Sequence, residues 1–288
     1  MVFTDLRLNT VYRDLSSKLS EKEARLILTR RTPYDWGDLA TQPDILLKDE
    51  QIALILADMH QRQAGVPLSR VYGEQEFWGL SFLLSPDTLD PRSDTETIID
   101  LAKLRFREKA PERILDLGTG SGCLLIALLH EFKSSFGFGL DLSFDALQMA
   151  RRNANRNHVA DRSVFCCANW TQPIAAKFDL IVSNPPYISN QIIPELDPEV
   201  RNHDPILALD GGEDGLKAYR QIFSDLNSVL LSDGIALFEI GYDQGESVMR
   251  LAGEYGFLHT TLHRDLAGLA RVVEISRGDK FKKKESVP

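Results

Sequence analysis

The sequence is short of several things, and each shortage excludes a class of protein. Only three of its 288 residues are cysteine, Cys123, Cys166 and Cys167, the last two adjacent. That is too few, and too poorly spaced, for the disulfide framework of a small secreted domain, so a reducing compartment fits. Long hydrophobic runs are missing as well: "CLLIALL" is the longest, far below the ~20 residues that cross a bilayer. The opening "MVFTDLRLNTVYRD" mixes charge into every turn and holds no apolar signal segment,. These features lead to the expectation of a cytoplasmic protein with no membrane partner. Positive charge is not in excess either, with 33 Lys and Arg against 42 Asp and Glu and a net charge of −9. A chain that neutralised many phosphates would more often be basic, so no direct nucleic-acid partner is expected, although a local basic groove stays open. Internal repeats and long low-complexity segments are absent.

What is present suffices for a globular protein. With 43% hydrophobic and 26% charged residues, the chain can bury a core and make one large domain or two modest ones. The first third reads as two or three short helices. Ser20 and Glu23 form a capping-box pattern, and Ile52, Ile55, Leu56 and Met59 recur at helical spacing before Gly65,. "EFWGLSFLLSP" then changes period around Gly79, which predicts a β-hairpin ending at Pro86,. The expected division is a helical domain with its hairpin over 1–85, a second domain over 86–278, and a polar tail over 279–288 that includes "KFKKK".

From about residue 93 strands and helices alternate. Ser93 and Glu96 suggest a second capping box, followed by "RILDL", "CLLIALLHEF", "FGFGLDL", "DALQMARRNANRN", "SVFCCANW" and "FDLIVS", then two more helices and a final strand pair,. Such alternation specifies an α/β fold, a parallel sheet with helices on both faces.

Three features carry chemistry. In "ILDLGTGSG" a buried strand delivers Asp116, then Gly118, Thr119, Gly120, Ser121 and Gly122, into a helix. Glycines there allow a sharp turn and close approach of backbone to a ligand, though G-x-G-x-G departs from the dinucleotide spacing G-x-G-x-x-G, and a plain strand-to-helix turn is the alternative. Asp141 closes the next strand, where a carboxylate can accept both hydroxyls of a ribose; capping the following helix is its alternative role, which Ser143 or Asp145 could also fill. Third, "FDLIVS" reads as a buried strand, yet two prolines stop it in "NPPY", Asn184 to Tyr187. By itself such a sequence can be a plain strand-ending turn whose backbone Pro185 and Pro186 pin.

The three features together resemble the class I S-adenosylmethionine-dependent methyltransferases, and the resemblance implies a doubly wound, mostly parallel, seven-stranded, Rossmann-like sheet. It also implies that "NPPY" serves transfer to a planar nitrogen, with the Asn184 side-chain oxygen and the Pro185 carbonyl accepting its two N–H bonds and Tyr187 packing on the flat group. Residues 73–97, "GEQEFWGLSFLLSPDTLDPRSDTET", resemble the HemK family, the peptide chain release factor glutamine methyltransferases. "GGEDGLKAYR" and "RDLAGLARVVEI" extend that likeness over nearly the whole chain. It implies S-adenosyl-L-methionine as cofactor and, as protein partner, class I release factors methylated on the glutamine of their Gly-Gly-Gln tip. Gly118 to Gly122, Asp141, Asn169, Trp170 and Asn184 match the donor-binding positions, with Trp170 beside the adenine, and Asn184, Pro185, Pro186 and Tyr187 match the substrate-amide site. Asp90, Ser93 and Asn169 depart from the family pattern. A methyltransferase for another glutamine or for a nucleic-acid amino group, and a non-catalytic donor-binding partner of translation, are the competing readings.

Other residues carry weaker signals. His259 and His263 in "HTTLH" have the spacing of a zinc pair, but the threonines between them suggest a strand and surface histidines,. Cys166 and Cys167 read as buried thiols in an apolar strand. Arg92 stands either near the catalytic cleft or in an ion pair with Asp94 or Glu96.

Overall fold

The computed structural model describes residue 3 and residues 5–171 and 174–277. The chain divides into two compact units, Met1–Tyr72 and Gly73–Pro288.

In the first unit five helices occur among the described residues: α1 (Leu8–Ser16), α2 (Glu21–Arg31), α3 (Trp36–Thr41), α4 (Asp49–Gln63) and α5 (Leu68–Tyr72). The capping box at Ser20 and Glu23 forms as expected. The helices α3 and α5, six and five residues long, escape a periodicity reading because neither presents a full repeat of an apolar face. Leu8, Val11, Leu15, Ile27, Ile55 and Met59 close the core. Beside it, Arg31 clamps buried Asp58 with two hydrogen bonds of 2.7 Å, and the Tyr72 hydroxyl donates a third at 2.8 Å.

The hairpin β1 (Glu74–Phe77) and β2 (Leu80–Leu83) forms where it is expected, but it belongs to the second unit, so the division falls at Tyr72 and not near residue 85. Packing explains why. Phe77 and Phe82 are fully buried in the second unit's core, and Asn153 accepts from the Leu83 N–H at 2.7 Å while donating to the Leu83 and Ser121 carbonyls.

The second unit continues with α6 (Glu96–Arg105), β3 (Arg113–Leu117), α7 (Cys123–Glu131), β4 (Phe136–Asp141), α8 (Phe144–Arg156), β5 (Ser163–Cys167), β6 (Phe178–Ser183), α9 (Pro198–His203), α10 (Lys217–Val229), β7 (Leu230–Glu239), α11 (Gly245–Glu254), β8 (His259–Arg264) and β9 (Ala270–Ser276). The seven-stranded sheet has the order β5-β4-β3-β6-β7-β9-β8, with β9 antiparallel to both its neighbours and the other pairs parallel. Alternate residues of the central strands enter opposite layers. Leu180 and Val182 pack with the apolar residues of α6, α7 and α8, and Ile181 packs with those of α10 and α11. Burial on both faces is why "FDLIV" is an unbroken apolar run.

Three expectations require correction. Ser93 does not cap α6: a 3₁₀ turn over Ser93–Thr95 precedes the helix without a side-chain cap, and the Glu96 carboxylate instead accepts from the Trp78 N–H at 2.8 Å. Cys166 and Cys167 are exposed, because β5 is an edge strand in which only Phe165 turns under cover. Of the two readings of Arg92, the ion pair with Asp94 or Glu96 is replaced by one with Asp204, whose carboxylate lies 2.7 Å from Arg92 Nη2, while the place near the cleft holds, since Arg92 is among the residues lining it. Residues 278–288, which hold the expected tail, lie outside the described residues.

Candidate functional site

In an open parallel sheet, a crevice forms beyond the carboxyl ends of the strands where chain order reverses. Here that point lies between β3 and β6, since the chain runs outward from β3 through β4 to β5 and then crosses back to β6. A cleft of about 420 Å³ opens there, and every residue that lines it belongs to the second unit.

The loop after β3 forms its floor. Gly118, Gly120 and Gly122 all have positive φ, at 72°, 53° and 80°, a backbone region that side chains with a Cβ rarely adopt. At Gly122 a Cβ would also lie 3.1 Å from that of Ala150, so the loop can seat against α8 only with glycine there. The N–H groups of Gly118 and Thr119 both donate to the Leu140 carbonyl at 2.9 Å, which ties the loop to the end of β4.

Asp141 completes that tie. One carboxylate oxygen accepts from the Gly120 N–H and the other from the Ser143 N–H, each at 2.8 Å. Ser143, not Asp141, caps α8 by accepting from the Ala146 N–H. Burial raises the Asp141 carboxyl above its ordinary range, and hydrogen bonds from the backbone N–H groups of Ser143, Gly120 and Leu142 oppose that rise. A carboxylate offers about four lone-pair sites, so with three backbone donors on it about one is left for a ligand. Behind it, burial pushes Asp116 up to about 7 despite a 2.6 Å hydrogen bond from the Thr119 hydroxyl.

The wall after β5 carries Asn169 and Trp170, both lining the cleft. Trp170 has a φ of 52° and donates from Nε1 to Gln221 of α10 at 2.8 Å. Its ring edge lies about where a Cβ on Gly118 would make van der Waals contact, at 3.6 Å. The Trp170 ring thus stands against the glycine loop, in a cleft whose lining also holds Asn169 and Asp141.

At the end of β6, Asn184 and Pro186 line the cleft. Pro185 is buried, and Tyr187 turns into the apolar layer under α10 and α11, away from the cleft. Tyr187 is thus not among the residues that line the cleft. Its hydroxyl reaches Glu239 at 3.4 Å and its carbonyl accepts from Gln244 Nε2 at 2.9 Å, so Tyr187 anchors the turn instead. Burial, with Glu239 nearby, holds the phenol well above its ordinary range.

Several residues at the site were not singled out from the sequence. Gly211 seats the turn from outside: a Cβ there would meet the Tyr187 carbonyl carbon at 2.8 Å and the Pro186 oxygen at 2.9 Å. Asp204 binds Arg92 and accepts from the Asp90 N–H at 3.3 Å, fastening the segment before α6 to the loop after α9. Lys217 and Gln221, on the first turns of α10, complete the rim. Glu239, at the tip of β7, is buried and pushed up to about 7 by desolvation. His263 lies on β8 and pairs with Glu274 at 2.9 Å, remote from the cleft lining.

The donor set fits S-adenosylmethionine. A backbone loop closed to side chains suits its methionine end, a carboxylate with a free lone pair its ribose, and an aromatic ring and an amide in one lining its adenine.

Comparison with known proteins agrees with that geometry. Residues 87–195 match the model of the methyltransferase small domain. The release factor glutamine methyltransferase of Agrobacterium fabrum is 42% identical over 259 residues, covering 88% of this chain and 90% of its own. The protein of the same name from Bradyrhizobium diazoefficiens is 41% identical over 282 residues, covering 94% and 95%. Among solved structures, a methyltransferase from Pyrococcus furiosus superposes with a TM-score of 0.52 at 17% identity over 76% of this chain and 98% of its own. The hMettl16 catalytic domain, solved with a 3′UTR hairpin, does so with 0.60 at 14% identity over 94% and 92%. At those identities the two structures speak for the fold alone. The chain is an S-adenosylmethionine-dependent methyltransferase, and identity above 40% across almost the full length of two such relatives places it in the family of release factor glutamine methyltransferases.

Proposed function

We propose that this protein methylates the side-chain amide nitrogen of the glutamine in the Gly-Gly-Gln motif of bacterial class I release factors, in the cytoplasm. The observation that carries this reading is the placement of Asn184 at the cleft, directly after β6, with its amide nitrogen already engaged by Thr95 at 3.2 Å. Its oxygen is thereby left as an acceptor for an incoming N–H group.

An amide nitrogen is a weak nucleophile because its lone pair is delocalised into the carbonyl. Catalysis consists mainly of orienting that lone pair, and well-aligned reacting groups can contribute on the order of 10⁵ M or more in effective molarity. Bound S-adenosylmethionine supplies an electrophilic methyl on a positively charged sulfur. Asn184 Oδ1 and the Pro185 carbonyl are the two proposed acceptors for the substrate amide, which would fix its plane. Pro185 and Pro186 stiffen the turn, Gly211 lets the neighbouring loop pack against it, and Tyr187 holds it to Glu239 and Gln244,. The glycine loop, Asp141, Asn169 and Trp170 are assigned to the donor.

The unit Met1–Tyr72 is assigned to recognition of the release factor, because the cleft is built without it. The test is a chain beginning at Gly73, which keeps the hairpin. It should bind the donor as the full chain does and methylate the release factor poorly. Equal turnover of the full factor by a folded, shortened chain would remove the recognition role.

A further inference from the structure

The two acceptors assigned to the substrate, Asn184 Oδ1 and the Pro185 carbonyl, read only half of a carboxamide. They take its two N–H bonds, and its own carbonyl oxygen is carried into the cleft beside them. A buried acceptor without a partner is costly, so that oxygen calls for a donor on a neighbouring wall. The segment before α6 supplies one. Arg92 lines the cleft, and its side chain is 46% exposed. The guanidinium is fixed from behind: Nη2 donates at 2.7 Å to the carboxylate of Asp204, which is itself buried. Arginine carries five N–H donors in a rigid fork, and Asp204 is the one side-chain partner of Arg92 among the described residues, so donors remain for a ligand. One turn of chain brings Arg92 close to Asn184. The Thr95 N–H donates to the Arg92 carbonyl at 3.1 Å, and Thr95 Oγ1 lies 3.2 Å from Asn184 Nδ2.

We propose that Arg92, held by Asp204, donates a hydrogen bond to the carbonyl oxygen of the target amide and is a specificity-determining residue of this enzyme. The inference rests on the reading of Asn184 and Pro185 as the acceptors of that amide. Two acceptors and one donor together describe a carboxamide: a carboxylate brings no N–H, and an alkyl amine brings no carbonyl. The oxygen stays a carbonyl while the nitrogen takes the methyl, so the bond is present before the transfer and through it. Its loss therefore falls on substrate binding and not on the rate of the bound complex. Asp204 acts through Arg92 and is a positioning residue.

The experiment uses the full chain, S-adenosylmethionine and a purified class I release factor. For each variant kcat, KM for the factor and donor Kd are measured, with folding checked by thermal melting. Arg92→Met should raise KM by roughly 10- to 100-fold, the scale of a hydrogen bond to a charged group, while kcat and donor Kd each stay within about threefold of the wild type. Arg92→Lys keeps the charge without the fork and should recover only part of that loss. Because Arg92→Met leaves Asp204 buried beside an apolar side chain, the double variant Arg92→Met/Asp204→Asn is measured as well and should show a similar rise in KM. Asp204→Asn alone should raise KM severalfold, and Arg92→Met should cost less in that background than in the wild type, since contacting residues are non-additive. The proposal is overturned if KM is unchanged in the folded double variant, or if kcat falls and KM does not. It is equally overturned if donor Kd rises as much as KM, which would give the guanidinium to the donor's carboxylate, or if Lys217→Met raises KM more than Arg92→Met does. An intact protein inactive on the Gly-Gly-Gln glutamine would sink the substrate reading instead, so the two failures are distinct.

Discussion

Replacement of Asp141 by alanine should weaken binding of S-adenosylmethionine more than replacement of any other carboxylate in the catalytic unit. The carboxylate accepts from the N–H groups of Gly120 and Ser143 at 2.8 Å and from that of Leu142, which leaves about one of its roughly four lone-pair sites for a ribose hydroxyl in the cleft that Asp141 lines,. A hydrogen bond to a charged group contributes about 1.5–3 kcal/mol. Loss of one such bond predicts roughly a 10- to 100-fold rise in donor Kd. Loss of the tie to Gly120 adds to this, because the glycine loop then has to be ordered by the ligand. Asp141→Asn keeps one acceptor oxygen and should fall between the wild type and alanine. Titration calorimetry measures the affinities, with circular dichroism confirming that both variants are folded. A folded Asp141→Ala protein with unchanged donor Kd would refute the assignment of this carboxylate and the reasoning from its free lone pair.

Other expectations concern the frame around the site. The Asp116 carboxyl is raised from an ordinary 3.8 to about 7, so between those values the unfolded chain releases a proton that the folded one keeps. Stability should therefore fall as pH rises through that window, by roughly 1.4 kcal/mol per pH unit per group at most. Glu239, also raised to about 7, and Asp141, raised as well, act with the same sign, and Asp116→Asn should reduce the slope in urea midpoints measured from pH 5 to 7; an unaltered slope would contradict it. Gly211→Ala forces a methyl against Pro186 and Tyr187 and should lower kcat with little change in donor Kd, whereas unchanged turnover would show that the turn tolerates displacement. A chain shortened to Leu84 loses Phe77 and Phe82 from the core and should unfold or melt far lower than one beginning at Gly73, since each such loss costs about 3–5 kcal/mol. Asp58→Asn breaks the clamp from Arg31 and should destabilise the first unit by a few kcal/mol in urea unfolding.

Much of this molecule is legible in its sequence because the relevant signals are local. The glycine loop, Asp141 and the turn at Asn184 each sit at the end of a strand whose apolar run announces it, and the alternation of elements then places all three on one sheet edge. Ser20 and Glu23 form their cap because both partners lie within one helical turn. The same pattern at Ser93 and Glu96 fails because a tertiary partner, the Trp78 N–H, takes the glutamate. Distance in the chain hides the rest. Arg92 finds Asp204, and Glu239 and Gly211 reach the turn at Asn184 from later elements, with nothing in their neighbouring residues to announce it. The exposed Cys166 and Cys167 mislead for a related reason: an apolar run reports strand propensity, and only the strand order shows that β5 is an edge.

The central claim is tested most directly by incubating a purified class I release factor with this protein and S-adenosylmethionine and mapping the product by tandem mass spectrometry. The account predicts a single added methyl on the side-chain amide of the Gly-Gly-Gln glutamine, lost when that glutamine is replaced by glutamate or asparagine. Methylation elsewhere on the factor, or transfer to an adenine-containing oligonucleotide at an equal or greater rate, would contradict it.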